Sequence, residues 1–414
     1  MEKLKIFVSA YACEPGKGSE IGVGWHWVLE MSKYFELWVL TRANNQIPID
    51  NYFEDYPSNK DNIHWIYFDC PDYIRRFKHQ MKGVRFYYTL WELMSDNIVK
   101  KTMAGNNIEI FHLLTYGNSI WYVSKHGQRK FFIWGPTGGV DTIPRDFSKH
   151  YGFKQRCIEE IRRVIVSSLR LAPGFYNKCK NANLIFCKSQ SMKDIIPKRH
   201  QYKAEIFTDV AVDLSPVETQ NHKSYSKKIM FITVGRLDGW RGFDLIIESF
   251  SQLAINNPKI ELKIIGDGAE RKHLKRLISD AGMDRQIIMT GQVSMDEYNN
   301  AMKECDVVVN ACLKEGGVTN AFDCMAWGKP LICIDTGGYT RNFDSECAII
   351  IEKSSRIETI KKLRDSMQKV LDYDLRNKMS EAMHKRANEI TWEKKGKLIR
   401  DRIEDAWTNR SEDK

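Results

Sequence analysis

Short runs rich in Val, Ile, Leu and Phe alternate with segments of helical period along the whole chain, and one polar stretch divides the series in two. This alternation narrows the fold more than any other feature. Each run is strand-length, and a helix between parallel strands must cross back over the sheet, so the pattern specifies α/β layers. In the first half the strand-like runs are 5–10, 36–42, 64–68, 108–114, 131–134, 184–188 and 205–210. Residues 215–228 break the pattern and read as a linker. It resumes at 229–235 and continues through 261–265, 286–290, 306–310, 331–334 and 348–351, and helical segments close the chain. The expected organisation is a first α/β domain over 1–214, a linker over 215–228, a second α/β domain over 229–390 and a closing helix over 391–414. Ligands of such paired domains commonly bind in the cleft that separates them.

The bulk properties exclude several classes. The chain has 414 residues, 43% hydrophobic and 28% charged, the balance of a soluble globular protein. Its longest apolar runs fall short of the ~18–20 residues of a membrane-spanning helix. It enters a strand-like run almost at once, without the regions of a secretory leader, so the expected compartment is the cytoplasm. Ten cysteines are scattered without a C-x-x-C pair and read as reduced thiols, not as a disulfide frame or zinc site. The ten histidines show no metal-ligand spacing. Asp372-Tyr-Asp374 lies between two helical segments and reads as a turn with capping acids, so no metal or cofactor is expected. The net charge of +10 favours phosphorylated ligands or an anionic membrane surface. No nucleic-acid-binding module is visible.

Two segments of the second half carry most of the chemistry. The strand-like run 306–310 leads into Glu315, Gly316, Gly317, Val318 and Thr319, and on to Asp323. The unpaired N–H groups of a helix opened by such a turn favour a diphosphate or sugar oxygens. Glu315 can accept from sugar hydroxyls, and Asp323 lies about 12 Å further along the helix at 1.5 Å per residue. That spacing suits the two ends of a nucleotide-sugar. The segment 234–242 places Arg236 and Arg241 across a turn after the first strand of this half. Two guanidinium groups there can clamp a diphosphate and stabilise charge on a departing one.

These segments, in this order, resemble the family-4 (group 1) retaining glycosyltransferases of GT-B fold. The stretch 315–323 is similar to their E-x7-E signature, with Asp323 in place of the closing glutamate. The stretch 234–242 is similar to their G-R-x…K-G segment, with Arg241 in place of the lysine. The resemblance covers nearly the whole chain and implies two Rossmann-like domains facing each other across a cleft. It implies that Arg236 and Arg241 meet the donor diphosphate, that Glu315 and the N–H groups of 316–319 hold the sugar, and that Asp323 holds the ribose. Gly266 and Gly268, and Gly291 and Val293, resemble the family's nucleotide-side loops. The closing helix resembles one that crosses back to the first domain.

The first half offers weaker signals. Gly16 and Gly18, after the first strand, either let the backbone approach a ligand or simply make a tight turn. Ser19 is a candidate N-cap for the next helix. In the resemblance this loop faces the donor phosphate or the acceptor. Trp134, Gly138 and Gly139 lie in another Gly-rich strand end and are acceptor-side candidates. Many family members carry a histidine near that point. His112 is the nearest substitute here, or else a structural histidine. Basic, aromatic-rich stretches at 75–78, 82–88 and 154–180 are either a face for an anionic membrane or a solvated face over core aromatics.

The resemblance implies a metal-independent glycosyltransferase that moves a sugar, with retention of configuration, from a nucleotide-sugar to a glycan or lipid-linked acceptor. Surface polysaccharide synthesis, in the cytoplasm or at the inner face of the membrane, is the expected setting. Two other readings share the same motifs: a non-catalytic nucleotide-sugar-binding subunit, and a GT-B-shaped sugar-nucleotide epimerase.

Overall fold

The computed structural model describes residues 3–57, 60–76, 83–116, 122–214, 228–314 and 319–411. Glu315, Gly316, Gly317 and Val318 lie outside the described residues, as does the expected linker up to residue 227. The chain divides into two compact units: Met1–Val140 with Ile165–Asp209 and Trp392–Lys414, and Asp141–Val164 with Val210–Thr391.

The first unit holds β1 (Lys5–Ser9), β2 (Glu36–Arg42), β3 (Ile63–Phe68), β4 (Ile110–Leu113), β5 (Phe131–Thr137), β6 (Ala182–Cys187) and β7 (Ala204–Ile206). Their order is β3-β2-β1-β4-β5-β6-β7, and all pairs are parallel. Continuous apolar runs suit strands covered by helices on both faces. Phe7, Phe111 and Phe132 stand in register on β1, β4 and β5, with ring centroids 6.0 and 5.8 Å apart. The last helix, Trp392–Thr408, packs on Ser19–Ser32, where the rings of Trp392 and His26 stack at 4.7 Å.

The helix Ser19–Ser32 corrects the capping expectation. Ser19 is its first residue, with φ +60°, and Gly18 stands at the cap without a side-chain bond. Glu20 instead reaches away from the helix and accepts from the Tyr116 N–H at 2.9 Å.

The second unit holds β8 (Ile229–Val234), β9 (Ile260–Ile265), β10 (Ile287–Gly291), β11 (Val307–Asn310), β12 (Leu331–Ile334) and β13 (Ala348–Ile351). They form a sheet of order β10-β9-β8-β11-β12-β13, again entirely parallel. The segment 141–164, which the strand pattern assigns to the first domain, packs in this unit. Ile143 and Phe147 join its core, Tyr151 Oη donates to the Gly239 carbonyl at 2.8 Å, and Asp146 accepts from the Arg356 N–H at 2.9 Å. Long-range packing of this kind leaves no periodic trace in the sequence. Asp372 caps the helix Tyr373–Glu389 by accepting from Leu375 N–H at 2.7 Å. Among the described residues no helix is long and apolar enough to cross a membrane.

Candidate functional site

The order of the second sheet reverses between β8 and β11, and open α/β sheets bind ligands at the carboxyl ends of strands where this happens. The turn after β8 ends at Gly242, whose φ is +68°. A Cβ there would lie 2.2 Å from the Ala311 carbonyl oxygen, so only glycine lets this turn rest on the end of β11. A further tie is the Leu313 N–H, which donates to the Trp240 carbonyl at 2.9 Å.

This approach presents Arg241. Its guanidinium lies 4.3 Å from the centroid of the Trp240 ring, and Nη1 is 3.5 Å from Cys312 Sγ. Arg236 is held differently. It is exposed, and its Nε donates to Asp238 Oδ2 at 2.6 Å. A third cation stands beside them: Lys314 Nζ is 5.7 Å from the Trp240 ring and 2.7 Å from Oε1 of Glu159, which is only 2% exposed. Burial draws the Lys314 ammonium below its ordinary value, against the pull of Glu159.

Two amides that the motif reading passed over tie the strand ends together. Asn310 Oδ1 accepts from the Cys312 N–H at 3.0 Å, and its Nδ2 donates to Asn320 Oδ1 at 3.1 Å. Asn320 Nδ2 in turn donates to the Val234 carbonyl at 3.3 Å. The ends of β8 and β11 and the helix Thr319–Ala326 are thus one hydrogen-bonded frame. The visible signal was a lone asparagine ending a valine run.

The three nucleotide-side glycines pack the neighbouring strand ends. A Cβ on Gly266 would lie 1.9 Å from the Gly235 oxygen, and one on Gly268 would lie 2.6 Å from the Leu237 oxygen. Gly266 N–H donates to the Gly291 carbonyl at 2.9 Å. Val293 is half-buried beside the helix Met295–Glu304, which Ser294 and Glu297 close with a capping box. Asp323, half-buried on its helix, accepts from Tyr298 Oη at 2.6 Å. Burial raises the Asp323 carboxyl to about 6.

Residues 216–386 match the family described as glycosyl transferases group 1. The second half of this chain is similar to the group 1 glycosyl transferases.

The phosphatidylinositol N-acetylglucosaminyltransferase GPI3 subunit of Saccharomyces cerevisiae (strain YJM789) is 19% identical over 291 residues, 67% of this chain. The match spans 62% of that relative's length. Among solved structures, a glycosyltransferase from Rickettsia africae ESF-5 aligns over 99% of this chain and 100% of its own, with TM-score 0.65 and 14% identity. Anabaena Alr3699/HepE in complex with UDP-glucose aligns over 97% and 100%, with TM-score 0.62 and 14% identity. At such identities the likeness is one of fold, and the fold is α/β, of GT-B class.

The group 1 match lies in the second unit, and the first unit's candidates stand on geometry alone. His112 is fully buried. Its Nε2 lies 2.6 Å from the Gly135 carbonyl and burial pulls its pKa down to about 4, so it is a neutral core histidine. Trp134 is also fully buried, edge-on to Phe175 at 5.9 Å. Both therefore leave the acceptor-side set. Gly139 has φ +84°, and Gly138 lies along the Lys188 side chain. Gly16 has φ +67°, and an added Cβ at Gly16 or Gly18 would meet nothing.

The residues that do gather at the carboxyl end of β1 are aromatic. The Tyr11 ring lies within 4.9–5.2 Å of those of Tyr88, Trp91 and Tyr116. Beneath it, buried Glu92 accepts from Ser9 Oγ at 2.8 Å and Tyr88 Oη at 3.2 Å, and burial raises its carboxyl to about 7. The sequence shows these residues on separate elements, and only the fold brings them together.

Proposed function

We propose that this chain transfers a sugar, with retention of configuration and without a metal, from a nucleotide-sugar to a glycan or lipid-linked acceptor in surface polysaccharide synthesis. The observation that carries the reading is Arg241, half-buried and stacked on Trp240 at the strand ends where the second sheet reverses. A guanidinium oriented before any ligand arrives stabilises charge that develops on a departing diphosphate, with little reorganisation during the reaction. Arg236 adds another positive charge once a phosphate competes with Asp238 for it. Together they supply the charge that a divalent cation would otherwise supply, which supports a metal-independent reaction.

In this reading the acceptor hydroxyl oxygen bonds to the anomeric carbon on the face from which the nucleotide diphosphate leaves. The bond from the anomeric carbon to the phosphate oxygen breaks, and the hydroxyl proton passes to a phosphate oxygen. Glu315 and the N–H groups of 316–319 hold the sugar, and Asp323 holds the ribose. The names of the relatives are in keeping with a nucleotide-sugar donor: one is an N-acetylglucosaminyltransferase subunit, and one neighbouring structure holds UDP-glucose. We assign the protein to the cytoplasm.

The test is turnover of a nucleotide-sugar panel with and without glycan and lipid-linked acceptors. Release of nucleotide diphosphate that depends on acceptor, with retained configuration in the product, is the expected result. Conversion of the donor without acceptor would mean an epimerase. Binding without turnover would mean a non-catalytic subunit.

A further inference from the structure

The helix Phe153–Ser168 turns its apolar residues outward. At 3.6 residues per turn, Phe153, Cys157, Ile161, Val164 and Ile165 share one face, and Ile158 lies at its edge. An amphipathic helix normally buries such a face. Here Phe153 is 83% exposed, Ile161 59% and Val164 66%. The opposite face is pinned, so the outward rotation is fixed: Glu159 is buried against Lys314, Arg162 Nε donates to the Asp141 carbonyl at 3.0 Å, and Arg163 Nη2 donates to the Ile143 carbonyl at 2.7 Å.

We propose that this face docks on an anionic lipid bilayer. The charge around it selects that occupant. Arg145, Lys149 and Arg156 are exposed in the same unit; Glu160 pairs with Arg145 and the partly exposed Asp146 with Lys149, Arg156 adds a further positive charge, and the chain as a whole carries +10. Another copy seated on the same face would bring these cations onto one another. A helix with an apolar stripe and basic flanks lies in the plane of a membrane with that stripe sunk about 5–10 Å, and anionic headgroups attract the flanks. In the other basic, aromatic stretch Val84, Tyr87 and Tyr88 are buried in the first unit and Phe86 is exposed. The inference deepens the lipid-linked half of the proposed function. Vesicle binding needs neither donor nor acceptor, so its failure would leave the transferase reading standing.

The test is flotation of the full chain with vesicles of phosphatidylglycerol and phosphatidylcholine, beside vesicles of phosphatidylcholine alone. The wild type is expected to float with the anionic vesicles and to be released by salt. Ile161→Glu/Val164→Glu is expected to lose about tenfold or more of that binding, with its unfolding midpoint and its response to nucleotide-sugars unchanged. Cys157 is the one cysteine of ten that is not buried. An environment-sensitive dye attached to it is expected to shift to the blue with the same vesicles. Absence of wild-type flotation, equal flotation of the two proteins, or equal binding to both kinds of vesicle overturns the proposal. So does a wild-type dimer that becomes a monomer in the double variant, because another copy then covers the face.

Discussion

Tyr298 Oη donates to Asp323 Oδ2 at 2.6 Å, joining the helix Met295–Glu304 to the helix Thr319–Ala326. The bond occupies one oxygen of the acid that stands where the family resemblance expects a glutamate. Under the proposed function the other oxygen, Oδ1, is the acceptor for a ribose hydroxyl.

Donor affinity should therefore depend on the ionisation of Asp323. Burial holds this carboxyl up to about 6. A ribose hydroxyl donates to the carboxylate, so affinity is expected to fall as pH drops through about 6 and to level off above it. Asp323→Asn should flatten that profile, read by calorimetric titration of a nucleoside diphosphate. The sign for stability is opposite. A raised carboxyl pKa means that ionisation costs the fold, so Asp323→Asn should gain in unfolding midpoint relative to wild type as pH rises from about 4 to about 6, and then stay level. A profile unchanged in the variant would assign the ribose contact elsewhere.

The two arginines should respond differently to substitution. Hydrogen bonds to charged groups contribute roughly 1.5–3 kcal/mol, so Arg241→Ala is expected to weaken nucleoside diphosphate binding by about 10- to 100-fold. Trp240→Leu keeps the charge and removes the stacking platform, which should cost less, about 0.5–1 kcal/mol. Asp238→Asn frees Arg236 from an exposed ion pair worth about 1 kcal/mol or less, and should tighten diphosphate binding a few-fold. Weaker binding in that variant would show that Asp238 serves the turn and not Arg236.

Gly242 and Gly16 separate close packing from backbone conformation. Both have φ near the left-handed region, +68° and +67°. An added Cβ meets the Ala311 oxygen at Gly242 and open space at Gly16. Gly16→Ala should cost about 1 kcal/mol of strain. Gly242→Ala adds a backbone clash, so it should lower the unfolding midpoint further and weaken diphosphate binding by displacing Arg241. Equal midpoints would contradict the close approach of the two strand ends.

Glu92 gives a pH signature for the first unit. Its carboxyl is raised to about 7 by burial, although Ser9 and Tyr88 donate to it. Its ionisation therefore costs stability, and the cost is complete only above about pH 7. Glu92→Gln should gain on wild type by about 1.4 kcal/mol per pH unit between roughly pH 5 and 7, then stay level. A difference that does not vary with pH would mean that Glu92 is ionised throughout.

Strands were the most legible feature. Apolar runs such as 229–235 and 331–334 became β8 (Ile229–Val234) and β12 (Leu331–Ile334) with shifts of a residue at most, because a strand covered on both faces has little choice but to be apolar throughout. Gly266 and Gly268 were legible as strand-end glycines for a related reason: neighbouring strand ends approach too closely there for a Cβ. His112 and Trp134 misled because residue type does not report burial. Both lie on apolar strands, and the core absorbs them. Trp240, Tyr298, Asn320 and Glu159 were invisible as site residues, since each acts through a partner distant in sequence. Glu159 reaches Lys314 across 155 residues, and no local pattern encodes that.

The most direct test of the account is calorimetric and thermal titration of wild type and Arg241→Ala with a panel of nucleotide-sugars, run without metal. One nucleotide-sugar should bind the wild type, adding about 2.7 kcal/mol of stability at 100 times its dissociation constant, and most of that gain should vanish in Arg241→Ala. A panel that leaves the wild type unshifted, or a donor that stabilises both proteins equally, would contradict a donor site built on Arg241.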